Sequence, residues 1–357
     1  MCPIRVLVVD DSAFMRRQLK RVIDSSPDLK VIDAARNGQE AVDKVKELEP
    51  DVVTLDINMP EMDGLTALTY IMMERPTPCV VISSLTQEGA MTTFEALELG
   101  AVDFIAKPSG TISLDIAEQE AEILDKVRAA ARARLRKKAA TVAVKKRKPV
   151  ATAAPRPSAP APGNQAVVVM GVSTGGPTTL LDILPKLPAD LPAPVALVQH
   201  MPPTFTASFA KRLDEECAIA VKEAEQNEPL LPGHVYLAPG GYQMTITASL
   251  LGRGLVTHLS DRPKGLQFCP SVDVLFESVA EGHGRRIVGV LLTGMGSDGA
   301  RGMVQIRKAG GITIAESEET AIVFGMPREA IAMGGAEFVA PSTKIAEQIQ
   351  SALRRIL

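Results

Sequence analysis

The stretch PVATAAPRPSAPAPG at 149–163 constrains the fold of this chain more than any other feature. Proline fixes φ and removes a backbone donor, so alternating Pro and Ala makes an extended, semi-rigid spacer that no hydrophobic core can be laid across. The 357 residues must therefore build separate cores on its two sides. Charge divides the chain in the same way. Residues 1–122 hold 11 Lys and Arg against 22 Asp and Glu, residues 123–164 hold 12 against 1, and residues 165–357 hold 16 against 19. An acidic domain (1–122), a basic Pro/Ala-rich linker (123–164) and a near-neutral domain (165–357) are expected.

Several classes are excluded at once. With 46% hydrophobic and 23% charged residues the chain is not disordered throughout. No apolar run reaches the ~18 residues of a membrane span, and the start MCPIRVLVVDD turns acidic too early for a signal peptide, so a cytoplasmic protein is expected. Cys2, Cys79, Cys217 and Cys269 form no CxxC pair and read as reduced thiols rather than a disulfide framework or zinc ribbon.

The acidic domain alternates short β-rich runs with helical patterns, the signature of a doubly wound parallel α/β sheet. Its strands are predicted at Ile4–Val9, Val31–Ala35, Val52–Leu55, Val80–Ile82 and Phe104–Ala106, with Gly100 closing the helix before the last and a final helix starting near Leu114. Ligands of open parallel sheets lie at the carboxyl ends of the strands. Those ends carry Asp10 and Asp11, Asp56, Ser83 and Lys107. Oxygen ligands with open positions suit Mg²⁺, and one carboxylate beside a metal and an ammonium is placed to take a phosphoryl group. VVDDS at 8–12, LDINMPEMDG at 55–64, ISS at 82–84 and AKP at 106–108 resemble a response-regulator receiver domain over essentially all of 1–122. That resemblance implies phosphorylation of Asp56 by a histidine kinase, Mg²⁺ held by Asp10, Asp11 and Asp56, a switch read by Ser83 and Lys107, and a cis Lys107–Pro108 bond.

Beyond the spacer a second α/β pattern begins at Ala166–Met170 and continues through Val195–Gln199, Val235–Ala238, Met244–Thr247, Ile287–Thr293 and Ile312–Ala315. AVVVMGVSTGGP at 166–177 contains G-x-S-x-G around Ser173, a pattern whose small residues let a sharp turn present a hydroxyl. A phosphate-cradling loop competes with that reading. Dinucleotide binding favours an acid at the end of the next strand, whereas Val195–Gln199 ends in His200, a base. Of the four histidines only His200 follows a fully apolar strand; His234, His258 and His283 sit in turns, beside a polar-leaning strand or between glycines. The strand Ile287–Thr293 ends in GMGSDG, which carries Asp298 either as an orienting carboxylate or as a turn residue. Ser173, His200 and Asp298 together supply a nucleophile, a general base and its orienting acid. No HExxH or similar spacing supports a zinc hydrolase, and the acids before Cys217 oppose a thiolate.

GVSTGGP, VQHMPPTFTASFAKRL, VYLAPGGYQM and LLTGMGSDGARGM resemble the chemotaxis protein-glutamate methylesterase/glutaminase family across nearly all of 165–357. The resemblance implies a second doubly wound α/β domain, a phosphorylation-regulated serine hydrolase that demethylates chemoreceptor glutamate methyl esters and deamidates receptor glutamines. It matches Ser173, His200 and Asp298 to the triad and puts Met295 where a backbone N–H helps hold the oxyanion; a donor near Thr174 would join it. Hydrolysis needs no cofactor. The implied partners are methyl-accepting chemoreceptors and a chemotaxis histidine kinase, with no nucleic acid, membrane contact only through receptors, and a monomeric chain. Two rivals remain, a DNA-binding regulator using the basic stretch and a non-catalytic module using the glycine loop; the first is opposed by the lack of a recognition-helix pattern in 165–357.

Overall fold

The computed structural model describes residues 2–83, 86–107, 116–135, 165–249, 254–261, 263 and 266–357. They gather into two compact units, Met1–Lys137 and Lys138–Leu357. The spacer at 149–163 and the Lys107–Pro108 bond lie outside the described residues.

The first unit alternates strand and helix: β1 (Ile4–Val9), α1 (Ala13–Asp24), β2 (Leu29–Ala35), α2 (Gly38–Leu48), β3 (Val52–Asp56), α3 (Gly64–Glu74), β4 (Cys79–Ser83), α4 (Gln87–Leu99), β5 (Asp103–Ala106) and α5 (Ile116–Ala131). The sheet is parallel in the order β2-β1-β3-β4-β5. The chain reverses its direction of winding between β1 and β3, so the loops after those two strands diverge and leave a crevice at their carboxyl ends. Ser12, Asn37, Asp63 and Thr86 cap α1 to α4, each side chain accepting a backbone N–H from the first turn. Gly100, with φ of +116°, ends α4 as expected.

Residues 123–131, which the division by charge gives to the linker, continue α5, the final helix whose apolar face the sequence carries through Ile123 and Val127. Ile123 and Val127 extend its apolar stripe into the core, while Lys126 reaches the Phe104 carbonyl and Arg128 pairs with Asp28.

The second unit runs β6 (Val167–Val172), α6 (Gly176–Ile183), β7 (Val195–Gln199), α7 (Pro203–Glu216), β8 (Ala220–Glu223), β9 (His234–Leu237), β10 (Gln243–Ala248), β11 (Leu255–Ser260), α8 (Val272–His283), β12 (Ile287–Leu291), α9 (Ala300–Lys308), β13 (Ile312–Glu316), α10 (Met326–Ala332), β14 (Phe338–Ala340) and α11 (Ser342–Ile356). Seven strands form a parallel sheet in the order β14-β13-β12-β6-β7-β9-β8. Alternate residues of each strand face opposite sides. Val167 and Val169 of β6 pack with Val272, Phe276, Met303 and Met326 from α8, α9 and α10, and α11 lies against α6 and β13. Helices thus cover both faces, as a fully apolar parallel sheet requires.

Met244–Thr247, expected as part of that pattern, belongs instead to a separate antiparallel hairpin of β10 and β11. His258 lies inside β11 opposite Thr245 rather than after a strand, and it is exposed. The winding reverses between β6 and β12, which makes the carboxyl ends of those strands the switch point of this sheet. Among the described residues no helix is long and apolar enough to cross a membrane.

Candidate active site

At the switch point of the first unit Asp10 and Asp56 are buried, Asp11 is exposed, and an oxygen from each lies within 4.8 Å of the others. Lys107 Nζ approaches Asp56 Oδ2 at 2.8 Å and Asp10 Oδ2 at 3.7 Å. Burial, aided by the neighbouring Asp56 charge, pushes the Asp10 carboxyl above the ordinary range despite the Ser12 N–H and Lys107. Burial raises Asp56 as well, against the pull of its Lys107 bond. Asp10 Oδ2 is buried and has no hydrogen-bond partner among the described residues. Three converging carboxylates, one with an orphaned buried oxygen, fit a hard divalent cation such as Mg²⁺. Ser83 ends β4 at the same edge and donates its hydroxyl to the Gly89 carbonyl at 3.0 Å.

In the second unit Ser173 follows β6, His200 follows β7 and Asp298 lies in the turn after β12, so three neighbouring strands deliver them to one edge. Two glycines make this approach feasible. Gly175 adopts φ of +77° in the turn after Ser173, and a Cβ at Gly171 would run into the Val272 side chain, so only glycine lets α8 lie this close to β6.

His200 Nδ1 lies 3.0 Å from Ser173 Oγ and Nε2 lies 2.8 Å from Asp298 Oδ2. An ionised carboxylate only accepts, which puts the ring proton on Nε2 and leaves the Nδ1 lone pair facing the serine hydroxyl. The ring nitrogens are thus used in the reverse sense of the familiar Ser-His-Asp template. Phe268 stacks on the imidazole with centroids 4.0 Å apart and planes 7° from parallel, which holds the ring plane.

Asp298 sits at the N-terminus of α8. Its oxygens accept the Ser271 hydroxyl at 2.9 Å, the Val272 N–H at 2.7 Å and the Asp273 N–H at 2.9 Å. Burial pushes this carboxyl up, but the His200 bond and the two backbone N–H groups outweigh it and hold it below the ordinary range. Asp298 therefore stays ionised.

Bonds to the preceding carbonyls fix the peptide planes of two backbone donors, Thr174 and Met295. The Ser173 carbonyl accepts from Gly176 N at 2.8 Å and Gln199 Nε2 at 3.1 Å. Within one planar trans peptide the N–H points away from the C=O, so these bonds aim the Thr174 N–H in the opposite direction. The Gly294 carbonyl likewise accepts from Gly325 N at 3.1 Å and Met326 N at 2.8 Å, which aims the Met295 N–H. Ser173 N itself is occupied by the Thr293 carbonyl at 2.9 Å and is not available as a donor.

The response regulator receiver domain family model matches residues 6–117 and the CheB methylesterase family model matches residues 168–349. The chain belongs to the CheB methylesterase family. It is 55% identical over 348 residues, 96% of its length and 95% of the relative's, to the protein-glutamate methylesterase/protein-glutamine glutaminase of Caldanaerobacter subterraneus subsp. tengcongensis. It is 49% identical over 357 residues to the protein of the same description from Pyrococcus abyssi, covering 99% of this chain and 94% of that one. The solved catalytic domain of Thermotoga maritima CheB methylesterase is 43% identical and superposes with a TM-score of 0.51, covering 52% of this chain and 98% of that domain.

Within this CheB-family chain, sequence reasoning misses five residues around the triad: Gln199, Phe268, Ser271, Thr293 and Glu316. Ser271 is within its reach, since a serine after Pro270 and before VDVLF reads as an N-cap. Glu316 ends β13 in the way Asp56 ends β3, and the rule that picks out Asp56 applies to it equally. Phe268 carries no such signal.

Proposed function

We propose that this chain is a phosphorylation-regulated serine hydrolase of chemotaxis adaptation, which demethylates glutamate methyl esters on chemoreceptors and deamidates selected receptor glutamines. The observation that carries the reading is the unbroken path Ser173–His200–Asp298, with both imidazole nitrogens in hydrogen-bond range. Family membership supplies the substrate class.

The Ser173 oxygen attacks the side-chain carbonyl as His200 Nδ1 takes its proton. His200 then returns that proton to departing methanol or ammonia, and water repeats the cycle on the acyl-enzyme. Asp298, held by α8, fixes the tautomer and balances the imidazolium. The Thr174 and Met295 N–H groups receive the developing oxyanion, a contribution of about 3–4 kcal/mol per donor.

In the receiver, Asp56 accepts the phosphoryl group from a histidine kinase, with the Lys107 ammonium placed to meet its oxygens and Ser83 at the same strand edge to follow its arrival. Asp10, Asp11 and Asp56 would hold Mg²⁺, which when bound neutralises phosphoryl charge. The role of this module is regulatory, and the chain works in the cytoplasm on receptors embedded in the membrane.

The test is methanol release from a methylated receptor fragment. The intact chain is expected to release it, faster with Mg²⁺ and a small phosphodonor, and Ser173→Ala to lose activity while keeping its fold. Near-normal turnover in purified Ser173→Ala would defeat the assignment.

A further inference from the structure

Behind the triad, Thr293 ties its carbonyl and hydroxyl to the loop that carries one proposed oxyanion donor, while it belongs itself to the loop that carries the other. Its carbonyl accepts the Ser173 N–H at 2.9 Å and its hydroxyl donates to the Thr174 carbonyl at 2.9 Å, so it grips the nucleophile turn at two points. The same hydroxyl accepts the Val323 N–H at 2.9 Å, and Val323 O accepts the N–H of Gly294, the residue before Met295. Its own N–H donates to Glu316 Oε2 at 2.9 Å. Glu316 Oε1 in turn accepts the Thr320 hydroxyl at 2.9 Å, and Thr320 Oγ1 accepts the Ser342 N–H at the start of α11. Thr293, Glu316 and Ser342 are all 0% exposed, so none can touch substrate.

We propose that Thr293, backed by Glu316, is a positioning residue that sets the spacing of the Thr174 and Met295 N–H groups around the oxyanion. The inference rests on the hydrolase reading above. Two donors on separate loops, one after β6 and one after β12, stabilise a single developing charge only while the loops keep their separation, and displacement by about 1 Å is enough to cost on the order of 100-fold in rate. Thr293 bonds directly to the first loop and belongs to the second. It is the cross-brace between them. Because the tetrahedral state needs both donors and substrate docking does not, loosening the brace lowers kcat and leaves KM in place.

The experiment uses the full chain with Mg²⁺ and acetyl phosphate, a methylated receptor fragment as substrate, and a fluorophosphonate titrated to completion to count reactive Ser173. Thr293→Val keeps shape and removes the hydroxyl; kcat per titrated site is expected to fall about 10–100-fold with KM within about twofold. Thr293→Ser restores the hydroxyl and is expected to return kcat to within about threefold of the unsubstituted chain. Glu316→Gln keeps an acceptor for the Thr293 N–H and a donor for Thr320, and stays active; Glu316→Leu falls as Thr293→Val does.

A structural role would reduce the melting temperature and the number of titratable sites, not the turnover of each. Unchanged kcat per site in Thr293→Val, or a loss that Thr293→Ser fails to rescue, overturns the proposal. If the unsubstituted chain neither reacts with fluorophosphonate nor releases methanol, the hydrolase reading fails and takes this inference with it.

Discussion

Asp298 accepts the Val272 N–H at 2.7 Å, so the carboxylate that orients His200 is itself held by the first turn of a helix. A helix N-terminus carries roughly half a positive charge, which favours an ionised partner there. The consequence is a carboxylate that is buried and charged at once, able to balance an imidazolium without taking its proton.

Asp298→Asn tests this directly. The amide is able to present its NH₂ to Nε2, which moves the ring proton to Nδ1 and turns the base toward Ser173 the wrong way round. Turnover is expected to fall on the order of 10³–10⁴-fold while binding of the methylated receptor fragment persists. Ser271→Ala removes one of the bonds on Asp298 together with the N-cap of α8, and is expected to lower stability by about 0.5–2 kcal/mol and turnover far less than Asp298→Asn. Equal losses in the two variants would show that Asp298 acts through helix stability alone.

Gly171→Ala addresses how close α8 must come. The added Cβ meets Val272 at the start of that helix, so the helix must shift or strand β6 must deform. The expected cost is about 1–3 kcal/mol from overpacking, read by chemical denaturation, with a fall in turnover beyond that seen for a distant variant of equal stability. Unaltered stability would mean that the helix has room the packing does not reveal.

Protonation of the receiver acids gives a pH dependence of defined sign. Asp10 and Asp56 bind protons more tightly folded than unfolded. Their contribution to stability therefore worsens as pH rises from about 4, the unfolded value, through the folded values, and stays constant above them. In Mg²⁺-free buffer at about pH 7.5, Asp10→Asn and Asp56→Asn should melt at higher temperature than the unsubstituted receiver unit, with the gap closing as pH is lowered toward about 4. Added Mg²⁺ should raise the melting temperature of the unsubstituted chain and do less for Asp10→Asn. A gap that widens on acidification would contradict the raised values.

Much of this architecture is legible in the amino-acid sequence. β1 and β7 start and stop where expected, because strands covered on both faces read as near-continuous apolar runs, here broken only by the exposed Arg5 at the entry of β1 and closed by Gln199 at the end of β7. The edge strands of the seven-stranded sheet are not. β8 is Ala-Val-Lys-Glu and β14 only Phe-Val-Ala, short and half exposed, and such segments hold their place by pairing rather than by pattern. At the end of the first domain charge and spacing disagree: the basic excess of 123–164 as a whole marks a connector, whereas Ile123 and Val127 carry the apolar face of α5 on to Ala131. Within the site, Ser173, His200 and Asp298 stand out because each closes an apolar strand or a glycine turn. The Phe268 ring that stacks on His200 leaves no mark, since nothing periodic ties a loop residue to a base on a distant strand. Glu316 is open to the rule that picks out Asp56, since each follows its predicted apolar run by one residue, but no surrounding motif singles it out.

Residues 165–357 contain a complete seven-stranded sheet with helices on both faces and their own core, so a fragment of that span is expected to fold without the receiver. The proposed phosphoryl acceptor, Asp56, by contrast, lies in the first unit. If regulation passes through that residue, the intact chain should turn over faster with Mg²⁺ and acetyl phosphate, while both the fragment and full-length Asp56→Asn should ignore the phosphodonor and keep their basal activity. The energies required are modest: a tenfold activation corresponds to about 1.4 kcal/mol of differential stabilisation, whereas a switch from 1:99 to 99:1 needs about 5.5 kcal/mol. The comparison of basal rates then assigns the sign. A fragment faster than the unphosphorylated intact chain means that the receiver restrains the hydrolase and phosphorylation relieves it; a fragment that matches the unphosphorylated chain means that phosphorylation adds something the hydrolase lacks alone. A phosphodonor response in Asp56→Asn equal to that of the unsubstituted chain would remove Asp56 from the pathway altogether.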